Sequence, residues 1–170
     1  MLVRSSTTAD AGEIAQILNA LLATTAIEWT VTPRTTDDVL EWLGVHEVTL
    51  VAEDRGEVVG VAAFGWFRDV AKWPGYRFTV ENTIHVRQDR WGAGVGAALL
   101  HTLIDKARET GKHSMIAAVD SANGASIRFH KRFGFVEVAH LTEVGAKFGQ
   151  WHDLVLLQLG LDERVVPPDD

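Results

Sequence analysis

Cysteine is missing from the 170 residues, so disulfides, thiolate metal sites and a cysteine nucleophile are all excluded. No stretch approaches the roughly 20 apolar residues of a membrane span. The start, Met1-Leu2-Val3-Arg4-Ser5, lacks the apolar core of a secretory signal, so a cytoplasmic chain with no membrane partner is expected. Positive charge is outnumbered: 16 Lys and Arg against 23 Asp and Glu leave a net charge of −7, which argues against nucleic acid as a partner. There is no Gly-Lys-Ser/Thr loop, no Gly-x-Ser-x-Gly elbow and no His-Glu-x-x-His, so the seven histidines form no familiar metal motif. Internal repeats and interdomain linkers are absent as well. With 46 % apolar and 23 % charged residues, an ordinary globular chain remains. One domain over residues 1–162 is expected, followed by a loose tail at 163–170.

What is present is Glu81-Asn82-Thr83-Ile84-His85-Val86-Arg87-Gln88-Asp89-Arg90-Trp91-Gly92-Ala93-Gly94-Val95-Gly96, running into Ala97-Ala98-Leu99-Leu100. A strand-like segment with a carboxylate passes through a polar loop to three glycines and a helix-periodic apolar run. Glycines expose backbone N–H groups and the helix start adds partial positive charge, which together make an anion pocket. The spacing G-x-G-x-G is not the dinucleotide G-x-G-x-x-G, and Arg87 to Trp91 separate it from the strand. A pyrophosphate laid across a wider loop fits this order, with a plain chain turn as the alternative. Arg87, Arg90, Arg128, Lys131 and Arg132 concentrate positive charge near the loop, as suits a small polyanion.

Along the chain, Leu2-Val3-Arg4 reads as a short strand. Asp10 helps cap a helix whose buried stripe is Ile14, Ile17, Leu18, Leu21 and Leu22. Residues 24–32 are irregular, and a helix after Pro33 turns Val39, Leu40, Trp42 and Leu43 inward. Strands over 48–53 and 58–67 meet at the turn Asp54-Arg55-Gly56-Glu57. A loop from Arg68 to Gly75 leads to a strand predicted over 76–86. A helix from about 94 to 111 buries Val95, Leu99, Leu103 and Ile104, and a buried strand follows over 115–119. After a helix beginning at Asn123, strands over 136–141 and 153–159 close an α/β fold. Its sheet is mixed and largely antiparallel, with helices on both faces.

Asn123-Gly124-Ala125-Ser126-Ile127-Arg128-Phe129-His130-Lys131-Arg132-Phe133-Gly134-Phe135 is a short amphipathic helix closed by glycine. With the glycine segment it resembles the acetyl-coenzyme A site of the GCN5-related N-acetyltransferase (GNAT) superfamily. There, Gln/Arg-x-x-Gly-x-Gly/Ala opens the pyrophosphate helix, and a later Asn-x-x-Ala-x-x-x-Tyr-x-x-x-Gly-Phe helix flanks the pantetheine arm. Asn123, Gly134 and Phe135 match, whereas Trp91, Ser126 and His130 stand where Gln or Arg, Ala and Tyr are usual. Residues 78–86 and 144–153 are similar to the Thr-Val-Glu-His-Ser/Thr-Val-Tyr-Val and Lys-x-Gly-x-Trp-x-Asp segments of one branch, the phosphinothricin and methionine sulfoximine N-acetyltransferases. The likeness spans Leu2 to about Leu161. It implies the GNAT fold, acetyl-CoA as co-substrate without a metal, the α-amine of a small amino-acid analogue as acceptor, and a homodimer.

Acetyl transfer from a thioester to an amine needs a base, a stabilised oxyanion and a neutralised leaving thiolate, but no enzyme nucleophile. On an extended strand, residues 79, 81, 83 and 85 share one face and Val80, Ile84 and Val86 the other. Periodicity alone makes Glu81 a solvated glutamate. The resemblance makes it the catalytic base, with burial beside Trp73 and Phe78 raising its proton affinity. His130 is either a proton donor to the thiolate or a packing residue of its helix. The resemblance further implies coenzyme contacts along the strand edge Ile84, His85 and Val86. It also implies pyrophosphate contacts at Gly92, Ala93, Gly94, Val95, Gly96 and Ala97, and pantetheine at Asn123. Acceptor contacts are implied at Arg68, Trp73, Glu81, Asn82 and Thr83. Arg77 is a further carboxylate partner and Trp29 a wall. Competing functions are acetylation of another amine, such as a peptide N-terminus or an antibiotic, and acyl-CoA binding without catalysis.

Overall fold

Runs of β-branched residues alternate with helix-periodic ones, and the computed structural model, which describes residues 1–168, sorts them into a seven-stranded sheet and four α-helices. The strands are β1 Leu2–Ser5, β2 Val48–Asp54, β3 Glu57–Trp66, β4 Thr79–Val86, β5 Ser114–Asp120, β6 Val136–Lys147 and β7 Gln150–Gly160. The helices are α1 Ala11–Thr24, α2 Thr36–Val45, α3 Val95–Glu109 and α4 Gly124–Arg132. Strand order is β1-β2-β3-β4-β5-β7-β6, antiparallel throughout except for the parallel pair β4–β5.

Each face of the sheet has its own core. Ile14, Leu18 and Leu21 of α1 and Val39 of α2 pack on Val51 and Val61. On the opposite face Leu99, Leu100 and Leu103 of α3 meet Phe64, Val80 and Met115, with Ile127 and Phe129 of α4 beside them. Burying one such side chain contributes about 1.5–3 kcal/mol. Among the described residues no helix is long and apolar enough to cross a membrane.

Asp10 does stand at the start of α1, but its carboxylate does not cap that helix. It accepts from Thr7 and forms a two-pronged pair with Arg4 at 2.8 and 2.9 Å, tying β1 to the helix entry. α2 starts on a reciprocal cap between Thr35 and Asp38. The β2–β3 turn is the two-residue kind, with Arg55 and Gly56 both left-handed at φ 56° and 82°.

Two strand boundaries differ from expectation. β4 begins at Thr79, because Pro74 opens a short 3₁₀ turn that takes up Pro74–Tyr76. The last two strands are far longer than 136–141 and 153–159. They continue as a projecting hairpin to a turn at Phe148 and Gly149, φ 52° and 73°. Polar residues and irregular registers at Ala139 and Gly145 hide period-two alternation there. Of the expected tail, 169 and 170 lie outside the described residues. Before them Arg164 donates to the Gly111 carbonyl at 2.8 Å.

Candidate active site

β4 pairs with β3 along its length, but with β5 only from Thr79 to Asn82, opposite Ser114 to Ala117. Past that point the two parallel strands part, leaving the β4 edge at Ile84–Val86 without a strand neighbour on that side. Asn82 marks the fork: its Nδ2 donates to the Ile116 carbonyl at 3.1 Å. A cavity of about 300 Å³ fills the opening, bounded by residues 81–85 of β4, residues 117–120 of β5, Asn123, Ser126 and His130. Ile27, Glu28, Arg34 and Trp42 close the remaining side.

The alternation of β4 puts Val80, Ile84 and Val86 into the α3 core and turns Glu81, Thr83 and His85 to the other face. Glu81 is half-buried in the cavity, and burial pushes its carboxyl above the ordinary range, opposed in part by the nearby Arg68 guanidinium. Arg68 itself lies over the Phe67 ring and does not line the cavity. Neither do the other residues of the expected acceptor loop. Trp73 is 54 % exposed beneath the Lys72 ammonium, so it is not what buries Glu81. Arg77 stacks on Phe78 and donates to the Pro74 carbonyl.

Across the fork, His130 is buried in α4, its Nδ1 2.9 Å from the Ser126 carbonyl and its Nε2 3.3 Å from Asn82 Oδ1. Burial lowers its proton affinity, so the ring is neutral near pH 7. Asn123 has a structural duty that the sequence motif does not reveal: its Oδ1 accepts from the Ser126 N–H at 3.1 Å and caps α4. Its Nδ2 donors and the second lone pair of Oδ1 are left for a ligand.

The glycine loop follows β4 at the mouth of the fork. Gly92 and Gly94 are left-handed, φ 78° and 83°, with open space where a Cβ would stand. Gly96 instead packs against Phe129 and Val86. α3 begins after Gly94 with no side-chain cap, so its first amides, at Val95, Gly96 and Ala97, lack helical partners. The Ala93 amide differs from its neighbours in donating to the Arg90 carbonyl. The Trp91 indole donates to the Val86 carbonyl at 2.8 Å, which removes that group from the open edge. The basic cluster is largely neutralised: Arg87 pairs with Glu57 and Asp89, Arg90 with Asp54, and Lys131 with Glu137. Among the described residues, no carboxylate lies within ion-pair distance of Arg128 or Arg132.

Glu28 and Arg34 escaped sequence reasoning because they come from the irregular 24–35 segment. Glu28 sits 3.0 Å from His85 Nε2 and also pairs with Arg34. Burial raises the Glu28 carboxyl, but His85 and Arg34 outweigh it and hold it well below its usual range, at about 2. The His85 ring is buried, and the approach of Glu28 lacks hydrogen-bond alignment. Trp29 does not line the cavity but braces it from behind, its indole donating to Asp120 Oδ2 at 2.9 Å. Among the described residues no group of three or more His, Cys, Asp or Glu is placed to hold a metal ion.

The acetyltransferase (GNAT) family model matches residues 14–135. An L-methionine sulfoximine/L-methionine sulfone acetyltransferase of Salmonella typhimurium is 40 % identical over 171 aligned positions, covering 98 % of either chain. A phosphinothricin N-acetyltransferase of Streptomyces viridochromogenes is 31 % identical over 98 % of this chain and 90 % of its own. An acetyltransferase of Salmonella typhimurium solved with its cofactor acetyl-CoA superposes with a TM-score of 0.93 at 40 % identity, over 99 % of this chain and 98 % of that one.

Proposed function

The chain belongs to the acetyltransferase (GNAT) family, and from that premise we propose that it acetylates the α-amine of a small amino-acid analogue. The relatives point to methionine sulfoximine, methionine sulfone or phosphinothricin as the acceptor type. One observation carries the reading: a half-buried carboxylate with raised proton affinity, Glu81, shares a cavity with His130 and Asn123 at the fork of β4 and β5.

Acetyl-CoA supplies the acetyl group as a thioester. Its fit rests on the uncapped start of α3, the two left-handed glycines and the open β4 edge. The amides of Gly94 to Ala97 bind diphosphate, while Ile84 and the Val86 N–H offer backbone groups to the peptide-like arm; the His85 backbone faces Val61 of β3 instead. Glu81 accepts a proton from the acceptor ammonium, directly or through water, so that the free amine attacks the thioester carbon. Its raised pKa keeps it basic enough for that task. The neutral His130 ring, directed by Ser126 and Asn82, donates an N–H toward the departing sulfur.

The acceptor-side wall holds Glu28, Arg34, Trp42 and Ile27, a charged and apolar mixture suited to a zwitterion with a short side chain. A homodimer formed through β6 accords with its exposed Val136, Val138, Leu141 and Val144, an apolar outer edge of the kind that a second copy covers. Cytoplasmic residence accords with the cysteine-free sequence.

The test is thiol release from acetyl-CoA in the presence of candidate amines, beginning with methionine sulfoximine, methionine sulfone and phosphinothricin. Release with these and not with peptide N-termini is expected. Tight acetyl-CoA binding without release for any amine would instead make the chain a binding module.

A further inference from the structure

We propose that Lys147, at the end of β6, is the positioning residue for the acceptor-side wall of the cavity. The inference rests on the acceptor reading above and extends it to a side chain that does not line the site. Lys147 is 4 % exposed, and its ammonium donates to three backbone carbonyls: Leu22 at 2.9 Å, Thr25 at 2.7 Å and Glu28 at 2.8 Å. Those bonds use all three of its donors.

The carbonyls it gathers come from the last turn of α1 and the irregular segment beyond it. A helix end has unpaired carbonyls and a partial negative charge, so a buried cation there is favourable. More telling is where the chain goes next. From Glu28 onward it forms the wall, with the Glu28 carboxylate set against His85 and Arg34. The far end is fastened by Asn19, whose side chain bonds both the N–H and the carbonyl of Arg34 at 2.8 Å.

A second anchor lies one residue past the ammonium's grip. Trp29 donates to Asp120, which is also 2.7 Å from His152 Nδ1, and its ring lies flat on Gly145. A Cβ at position 145 would stand 1.9 Å from that ring. β6, β7 and the end of β5 therefore hold the wall segment through two independent contacts. Packing alone does not require a cation here. Burying an ammonium is costly, and a methionine of similar length would fill the space more cheaply. The charge has a purpose because irregular backbone has carbonyls that no helix or strand satisfies.

The experiment compares wild type, Lys147→Met and Gly145→Ala, the second of which displaces Trp29 without altering the ammonium. Measured are the acceptor KM, kcat, the acetyl-CoA Kd and amide hydrogen exchange over residues 25–34. The expected result in both variants is an acceptor KM raised tenfold or more and faster exchange confined to 25–34. Acetyl-CoA Kd should stay within twofold and kcat within threefold. An unchanged acceptor KM in a folded variant overturns the proposal, and so does an equal loss of acetyl-CoA affinity, which would mark a general structural role. If Lys147→Met does not fold, Gly145→Ala decides the matter by the same criteria. If wild type acetylates no amino-acid amine, the acceptor reading is what fails, and unaltered exchange over 25–34 in the variants would still overturn the positioning role of Lys147.

Discussion

Nε2 of His130 faces Oδ1 of Asn82 at 3.3 Å while its Nδ1 faces the Ser126 carbonyl at 2.9 Å, so both ring nitrogens meet acceptors. A neutral imidazole has one N–H and satisfies only one of them. Asn82 cannot turn to help, since its Nδ2 is held by the Ile116 carbonyl. The proton therefore has two alternative positions on a ring that borders the cavity, the one toward Ser126 having the closer acceptor. His130→Phe is expected to lower turnover by roughly 10²-fold, the lower end for loss of a positioned donor, with acetyl-CoA affinity preserved. Stopped assays of thiol release check this, and unchanged turnover would reduce the ring to helix packing.

Glu81→Gln should lower kcat by roughly 10²–10⁴ with little effect on acetyl-CoA binding, as loss of a general base requires. Because burial raises the carboxyl pKa, wild-type kcat/KM should fall as pH drops through a midpoint above the ordinary glutamate value, and this limb should vanish in the variant. The folded state also disfavours the charged form. Glu81→Gln should therefore raise the melting temperature at pH 7. Loss of activity with a gain in stability is the combined signature to look for.

Asn123 can be separated into its two duties. Asn123→Ala removes the α4 cap and should cost about 1 kcal/mol of stability. Asn123→Asp keeps an oxygen for the Ser126 amide but removes the Nδ2 donor, so stability should hold while acetyl-CoA affinity falls. Calorimetric binding to both variants distinguishes a ligand contact from a purely structural cap.

Gly94→Val places a side chain on a left-handed residue at φ 83°, at a strain of about 1–2 kcal/mol, and fills the open cradle ahead of α3. The expected outcome is a folded protein, a few degrees less stable, whose acetyl-CoA affinity is lost by more than 100-fold. Equilibrium dialysis against acetyl-CoA measures it. Retained affinity would move the diphosphate away from this loop.

Acid should weaken the helix entry in a defined window. Asp10 is held down from 3.8 to about 2, chiefly by its bond to Arg4. Its folded pKa is depressed, so its stabilisation is present above about pH 4 and is lost as pH falls toward 2. Melting temperatures from pH 5 to 2 should show this loss in wild type, and a flatter profile in Arg4→Leu.

The sheet and helices were legible in the sequence wherever a single face is buried, because burial writes its period into the residues. The α1 stripe and the alternation of Val80, Ile84 and Val86 are examples. The hairpin was not, since residues 142–153 add nothing to either apolar core, and their anchors, Lys147 on backbone carbonyls and Gly145 against Trp29, leave no period in the sequence. The glycine loop and the start of α3 were legible as well, because Gly92 and Gly94 take left-handed backbone that other residues rarely adopt. The acceptor side was not. Lys147 meets the Glu28 carbonyl across 119 residues of sequence, and a backbone carbonyl carries no side-chain signature, while Glu28 and Arg34 pair within a segment that has no periodicity.

The parting of β4 and β5 opens between α4 and the Glu28–Arg34 wall and narrows to the clasp between Asn82 and the Ile116 carbonyl. With the thioester placed in the fork as proposed, an acyl donor bearing extra carbons meets that clasp. Tolerance for propionyl and butyryl thioesters therefore gauges the rigidity of the parallel seam itself, and loosening the clasp widens donor choice before it alters which amine is chosen.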